Sequence, residues 1–114
     1  MVENCVFCQI HIGQIKSDVL YRDENCFVIR DIVPKASVHL LVIPNRHLEC
    51  LADFTSEYYS VFGNMFQVVR DMAEKEGVSK SGYRLVINQG THAGQIVDHI
   101  HLHILGGNLL GSMI

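Results

Sequence analysis

His99-Ile100-His101-Leu102-His103-Ile104-Leu105, closed by Gly106-Gly107, is the stretch from which the rest of this 114-residue chain can be read. Imidazoles alternate with aliphatic residues, and an extended chain sends successive side chains to opposite faces. The pattern predicts a strand over 99–105. Ile100, Leu102 and Ile104 would be buried on one face. His99, His101 and His103 would line the other, roughly 6.5–7 Å apart along the strand. Imidazoles make a poor core, but near neutral pH each can be a nucleophile, a proton carrier or a metal ligand.

Working outward, the elements on either side fit one domain over residues 1–114. The segment Cys26-Phe27-Val28-Ile29 follows Val19-Leu20-Tyr21 after the polar turn Arg22-Asp23-Glu24-Asn25, as two strands would. Val38 to Ile43 reads as a buried strand stopped by Pro44, and Tyr83 to Ile87 as another. Residues 4–12 read as a short helix with Asn4 as N-cap and Gly13 past its end. A long helix is predicted from about Ser56 to Glu76, capped by Thr55 or Asp53. Its apolar stripe is Tyr58, Val61, Phe62, Met65, Phe66, Val69, Met72 and Ala73. Short connections and few helices imply an α+β fold with about five antiparallel strands.

Composition narrows the partners. Apolar residues make up 48% and charged residues 18%, which favours a buried subunit interface. A net charge of −3 with scattered signs supplies neither a basic stripe for nucleic acid nor a polybasic patch for membrane. The N-terminus lacks a basic segment followed by an apolar run, and no apolar run approaches a membrane span. Cytoplasmic residence is therefore expected, with Cys5, Cys8, Cys26 and Cys50 free or metal-bound. Cys26 reads as a core residue and Cys50 as a surface one.

The histidine strand admits two chemistries. Alternate histidines can share a catalytic metal, although Asp98, the nearest carboxylate, would face away from His99. Alternatively, one imidazole attacks phosphorus while its other nitrogen donates to a fixed acceptor. The second reading also explains the loop from Asn88 to Gln95. Its side-chain amides, and backbone N–H groups near Gly94, could hold phosphate oxygens beside a positively charged His103.

The same run resembles the His-φ-His-φ-His-φ-φ signature (φ apolar) of the histidine triad superfamily. Val6 to Ile10, Arg30 to Pro34, His39 to Pro44, Tyr83 to Asn88 and Gly94-Gln95 are similar to segments of its Hint-like branch. The resemblance implies a homodimer with the sheet continued across the dimer axis. It also implies hydrolysis of purine nucleoside phosphoramidates or related nucleotidyl conjugates, with no organic cofactor. By position His101 is then the nucleophile, His103 the contact to phosphate oxygens and His99 their support. Asn88, Gly94 and Gln95 fall in the phosphate site, Asp31 at the ribose hydroxyls and His39 near the triad. Val6, Phe7, Ile10, Ile29 and Ile32 fall at the purine pocket. A nucleotide-binding regulatory protein with little catalysis is the alternative. Ile96 stands where many relatives carry a hydroxyl, and the tail from Asn108 to Ile114 lacks the Trp found in part of the family.

Cys5-Val6-Phe7-Cys8 has the spacing that lets two thiolates reach one zinc ion. A redox pair or two inert thiols are the other readings. The resemblance implies a structural zinc held by Cys5, Cys8, His47 and His99.

Overall fold

Asp23 turns the chain between β1 (Val19–Arg22) and β2 (Cys26–Arg30). Its carboxylate accepts the backbone N–H groups of Asn25 and Cys26 at 2.7 and 2.8 Å, as an Asx turn requires. It also accepts from the side chains of Asn64 and Tyr21, each at 2.8 Å. Burial raises the Asp23 pKa, but these donors outweigh it and hold the group at about 2. The hairpin is thereby tied to the helix that carries Asn64.

The computed structural model describes residues 2–113, so Met1 and Ile114, the ends of the expected domain, lie outside the described residues. β3 (Val38–Pro44), β4 (Tyr83–Val86) and β5 (Leu102–Gly106) complete one antiparallel sheet in the order β1-β2-β3-β5-β4. The expected α+β architecture is what forms. On one face, Cys26, Val28, Leu40, Val42, Leu102 and Ile104 pack against Met65, Val68, Val69 and Met72 of α2 (Tyr59–Lys75). On the other, Phe27, Ile29, Leu41 and Ile43 pack against Cys5, Phe7, Cys8 and Ile10, in and beside α1 (Val6–His11). Each fully buried aliphatic side chain contributes about 1.5–3 kcal/mol, so both layers stabilise the sheet.

Local expectations shift in instructive ways. Residues 56–58 form a 3-10 turn before α2, and Thr55 makes no side-chain cap bond there. Within α2, Val68 joins the buried arc while Phe66 is 52% exposed. Phe66 follows Met65 by about 100° of rotation and so turns away from the sheet. In α1 the N-cap is Cys5, not Asn4, and its sulfur accepts the N–H of Cys8 at 3.5 Å. Cys26 is fully buried, and Cys50 is half-buried rather than exposed.

The predicted strand over 99–105 is shorter: β5 begins at Leu102. Its ladder with β3 runs from Val42↔Leu102 to Val38↔Gly106. Before that point the N–H of Ile100 donates to Leu48 at 2.6 Å, in the segment after β3, instead of to a strand. The alternation of faces nevertheless continues through 99–101. Past β5, Gly107 has φ +86, and a Cβ there would lie 3.0 Å from that of Ser37, so the close return beside β3 requires glycine.

Candidate active site and metal centre

Two polar clusters flank His101 on the face of the sheet opposite α2. The first joins Cys5, Cys8, His47 and His99, whose ligand atoms lie within 4.8 Å of one another. His99 is fully buried, and its Nε2–H donates to the Pro44 carbonyl at 2.8 Å. That bond leaves a lone pair on Nδ1. His47 turns its Nε2 toward the Glu49 carboxylate, 3.7 Å away, and its Nδ1 inward. The two Nδ1 atoms are 3.2 Å apart, and the sulfur contacts are 3.4 Å (Cys5–His99), 3.6 Å (Cys8–His99) and 3.4 Å (Cys8–His47).

The lone pair of His99 Nδ1 thus meets His47 Nδ1 and two sulfurs, four potential ligand atoms around one point. A tetrahedral site with ligand bonds of about 2.1–2.3 Å has edges of roughly 3.4–3.7 Å, close to these separations. Outer acceptors on both imidazoles are the usual support of a metal-bound histidine. Burial raises the Cys5 thiol above its ordinary range, so a bare thiolate is disfavoured there. These residues fit a metal ion.

The second cluster joins Asp31, His39 and His103. His39, buried in β3, accepts the Lys35 backbone N–H on Nδ1 at 3.0 Å. Its Nε2 lies 2.9 Å from Nδ1 of His103 and 3.3 Å from the Asp31 carboxylate. Because His39 Nδ1 already accepts a hydrogen bond, Nε2 must keep the ring's proton and cannot ligate a metal. A pair of imidazoles thus serves a different kind of site here.

His101 stands between them, 8% exposed. Its Nδ1–H donates to the His99 carbonyl at 2.8 Å, which leaves Nε2 as the nucleophilic nitrogen. Phe7 meets its ring edge-on at 5.0 Å and fixes the plane. Burial lowers the His101 pKa and keeps it neutral; the His99 carbonyl and Asp31 act the other way. Burial, with His101 and His39 adding to it, takes His103 down to about 4. The positively charged His103 expected from the sequence is therefore replaced by a neutral ring.

Of the other expected residues, Asn88 is half-buried just beyond β4. Gly94 takes the left-handed conformation (φ +82) that closes the 3-10 turn Thr91–Ala93, and its N–H bonds to Thr91. Gln95 is engaged inside the loop: Oε1 accepts from Gly90 at 2.8 Å, and Nε2 donates to Glu49 and Val97. Phe7, Ile10 and Ile29 are packed in the core, whereas Val6 is 37% and Ile32 91% exposed. Ile96 lines a cavity of about 280 Å³ beside the thiol cluster, with His47 and Glu49. Asp98, exposed, joins neither cluster.

The sequence reading missed Gln89, whose Oε1 accepts the Leu51 N–H at 2.6 Å. Together with Gln95 it fastens the loop to residues 49–51. The only signal was a second long amide at the loop's entrance.

Comparison with known proteins agrees with this architecture. The family model described as scavenger mRNA decapping enzyme, C-terminal binding, matches residues 4–113. The chain is 41% identical over 114 residues to the purine nucleoside phosphoramidase of Escherichia coli (strain K12), covering 100% of this chain and 96% of that one. The crystal structure of a HIT family hydrolase from Legionella pneumophila Philadelphia 1 aligns with a TM-score of 0.92 at 41% identity, over 95% and 96% of the two chains. A HIT family hydrolase from Clostridium thermocellum gives 0.95 at 38% identity, over 100% and 99%.

Proposed function

Because this chain belongs to the histidine triad superfamily, in its Hint-like branch, we propose that it cleaves purine nucleoside phosphoramidates or related nucleotidyl conjugates. It is a nucleotide hydrolase of the histidine triad type. The observation that carries the finer reading is the His101 ring, held by its Nδ1–H on the His99 carbonyl with Nε2 left for attack.

The reaction takes two displacements at phosphorus. Nε2 of His101 attacks and forms an N–P bond as the bond to the leaving amine breaks, and the amine takes a proton from water. The imidazolium that results keeps its Nδ1–H on the His99 carbonyl, which disperses the new charge. Water then attacks phosphorus, the bond to His101 breaks, the water's proton leaves, and nucleoside monophosphate departs from a neutral ring. His103 faces the phosphate oxygens, joined by Asn88 and the Gly94-Gln95 turn. Gly94 N–H and the Gln95 amide would exchange their bonds inside the loop for bonds to substrate. Asp31, its Oδ1 already accepting from Val33, would offer the ribose hydroxyls its other oxygen. Phe7, Ile10, Ile29, Ile32 and Val6 would border the base, and His39 supports His103.

Zinc is the metal best suited to the two thiols and two imidazoles of Cys5, Cys8, His47 and His99. With four protein ligands it would be structural, tying α1 to the chain just before His101. A homodimer fits β4, which has no strand on its outer side among the described residues, and the exposed Tyr59 (70%) and Phe66 on α2. The chain is one domain built on a single sheet, and residence in the cytoplasm accords with four cysteines that form no disulfide among the described residues.

The test is adenosine 5′-phosphoramidate turnover with acid quench and peptide mass spectrometry. A nucleotidyl adduct on the peptide containing His101 is expected, together with at least a ~10³-fold loss of kcat in His101→Ala while nucleotide still binds. Undiminished turnover by that variant would refute the assignment.

A further inference from the structure

We propose that His39 is a positioning residue that fixes His103 as a neutral hydrogen-bond donor aimed into the site. A backbone amide can only donate. The Lys35 N–H points at Nδ1 of His39 at 3.0 Å, so that nitrogen carries a lone pair. The single proton of the His39 ring is then on Nε2. That N–H faces Nδ1 of His103 at 2.9 Å, with the Asp31 carboxylate at 3.3 Å as a second acceptor. Nδ1 of His103 must therefore be an acceptor, and its proton is on Nε2.

The alternatives each bring two donors face to face. A doubly protonated His39 would set its Nδ1–H against the Lys35 N–H. A doubly protonated His103 would set its Nδ1–H against the Nε2–H of His39. One amide outside the triad thus decides the protonation of two rings in series. The end of that series is informative: Nε2 of His103 is buried and has no hydrogen-bond partner among the described residues. A buried donor left unpaired is costly and needs an explanation in a native structure. An anionic oxygen of the ligand supplies the missing acceptor.

The consequence for chemistry is specific. His103 adds no full positive charge to the site and does not release a proton to the leaving group. It presents one N–H at a fixed place, before substrate arrives and without reorganisation, which is how a donor stabilises charge developing on a phosphoryl oxygen. That last step rests on the proposed reaction. The protonation pattern does not, because it follows from the ligand-free geometry.

The experiment is long-range ¹H–¹⁵N correlation NMR of the histidine side chains in the full-length, metal-loaded protein at pH 7. Both His39 and His103 are expected as neutral Nε2–H forms. In His39→Leu, which keeps the volume but no donor, His103 should lose that single form. Its kcat for the phosphoramidate should fall about 10- to 100-fold with a smaller change in KM. His39→Gln keeps an N–H at the end of the side chain. It should retain the Nε2–H form of His103 and stay within a few-fold of the parent kcat. An Nδ1–H or charged His103 in the parent protein overturns the proposal, as does an unchanged His103 signal in His39→Leu. Should that variant fail to fold, the parent spectrum and His39→Gln decide. The expected spectrum in a protein that cleaves no nucleotidyl conjugate would instead defeat the proposed function and leave the protonation pattern standing.

Discussion

The two clusters beside His101 each contain a pair of imidazoles and do opposite things with them. In the thiol cluster, His99 gives its outer N–H to the Pro44 carbonyl, so its inner nitrogen turns a lone pair toward His47 and the two sulfurs. In the carboxylate cluster, the Lys35 amide occupies the outer nitrogen of His39, so a proton points inward. The first arrangement attracts a cation and the second conducts a hydrogen-bond polarity. An imidazole has one proton and two nitrogens, and whatever touches the outer one dictates what the inner one can do.

The largest effect that could break this contrast concerns the metal. Cys8 is fully buried between both imidazoles of its cluster. Cys8→Ser is expected to lose stoichiometric zinc and about 3 kcal/mol of stability, on the order of 10 °C in Tm. The His103 side-chain NMR signal should not move. Metal analysis beside thermal melts checks this, and equal zinc in parent and variant would remove the metal centre.

Protonation sharpens the other side of the comparison. Burial holds His103 at about 4, below the ordinary 6.5, so the unfolded chain binds more protons between those values. Stability attributable to this ring is therefore full above about pH 6.5, falls as pH drops toward 4, and changes no further below. The amount is at most about 3 kcal/mol. Urea unfolding at pH 7 and 4.5 should show a shallower decline for His103→Asn than for the parent. Parallel declines would mean that the proton enters elsewhere.

The smallest effect tests what joins the clusters. Residues 47–51 carry a metal ligand at one end and at the other accept Gln95 and donate to Gln89. Gln89→Ala should raise KM a few-fold and cost about 1 kcal/mol, with zinc content unchanged. Steady-state kinetics checks it, and an unaltered KM would show the loop to be held without this bond.

Much of this was legible along the chain. Alternation placed the histidine strand, short apolar runs bounded by turns or proline placed the other four, and the spacing of Cys5 and Cys8 marked a half-site. Boundaries were less legible: before β5 the Ile100 N–H bonds to Leu48, 52 positions away, instead of to a strand. Phe66 was misplaced on the buried face because helical spacing allows several neighbouring arcs, and the packing of Val68 against the sheet selects one. The loop-fastening bonds of Gln89 and Gln95 were not legible, since an amide near a glycine looks alike whether it holds substrate or its own loop.

By itself the sequence determined that three imidazoles share one face, that an aliphatic set shares the other, and that the middle ring belongs to a family of nucleotide hydrolases. Spacing alone carries such information, because the side-chain period of an extended chain is two. Which nitrogen of each ring holds the proton was decided only in three dimensions. His99, His101 and His103 are equivalent in spacing, yet they answer to the Pro44 carbonyl, the His99 carbonyl and the Lys35–His39 pair. Two of those partners lie more than fifty residues away, where only the folded chain brings them within hydrogen-bond reach.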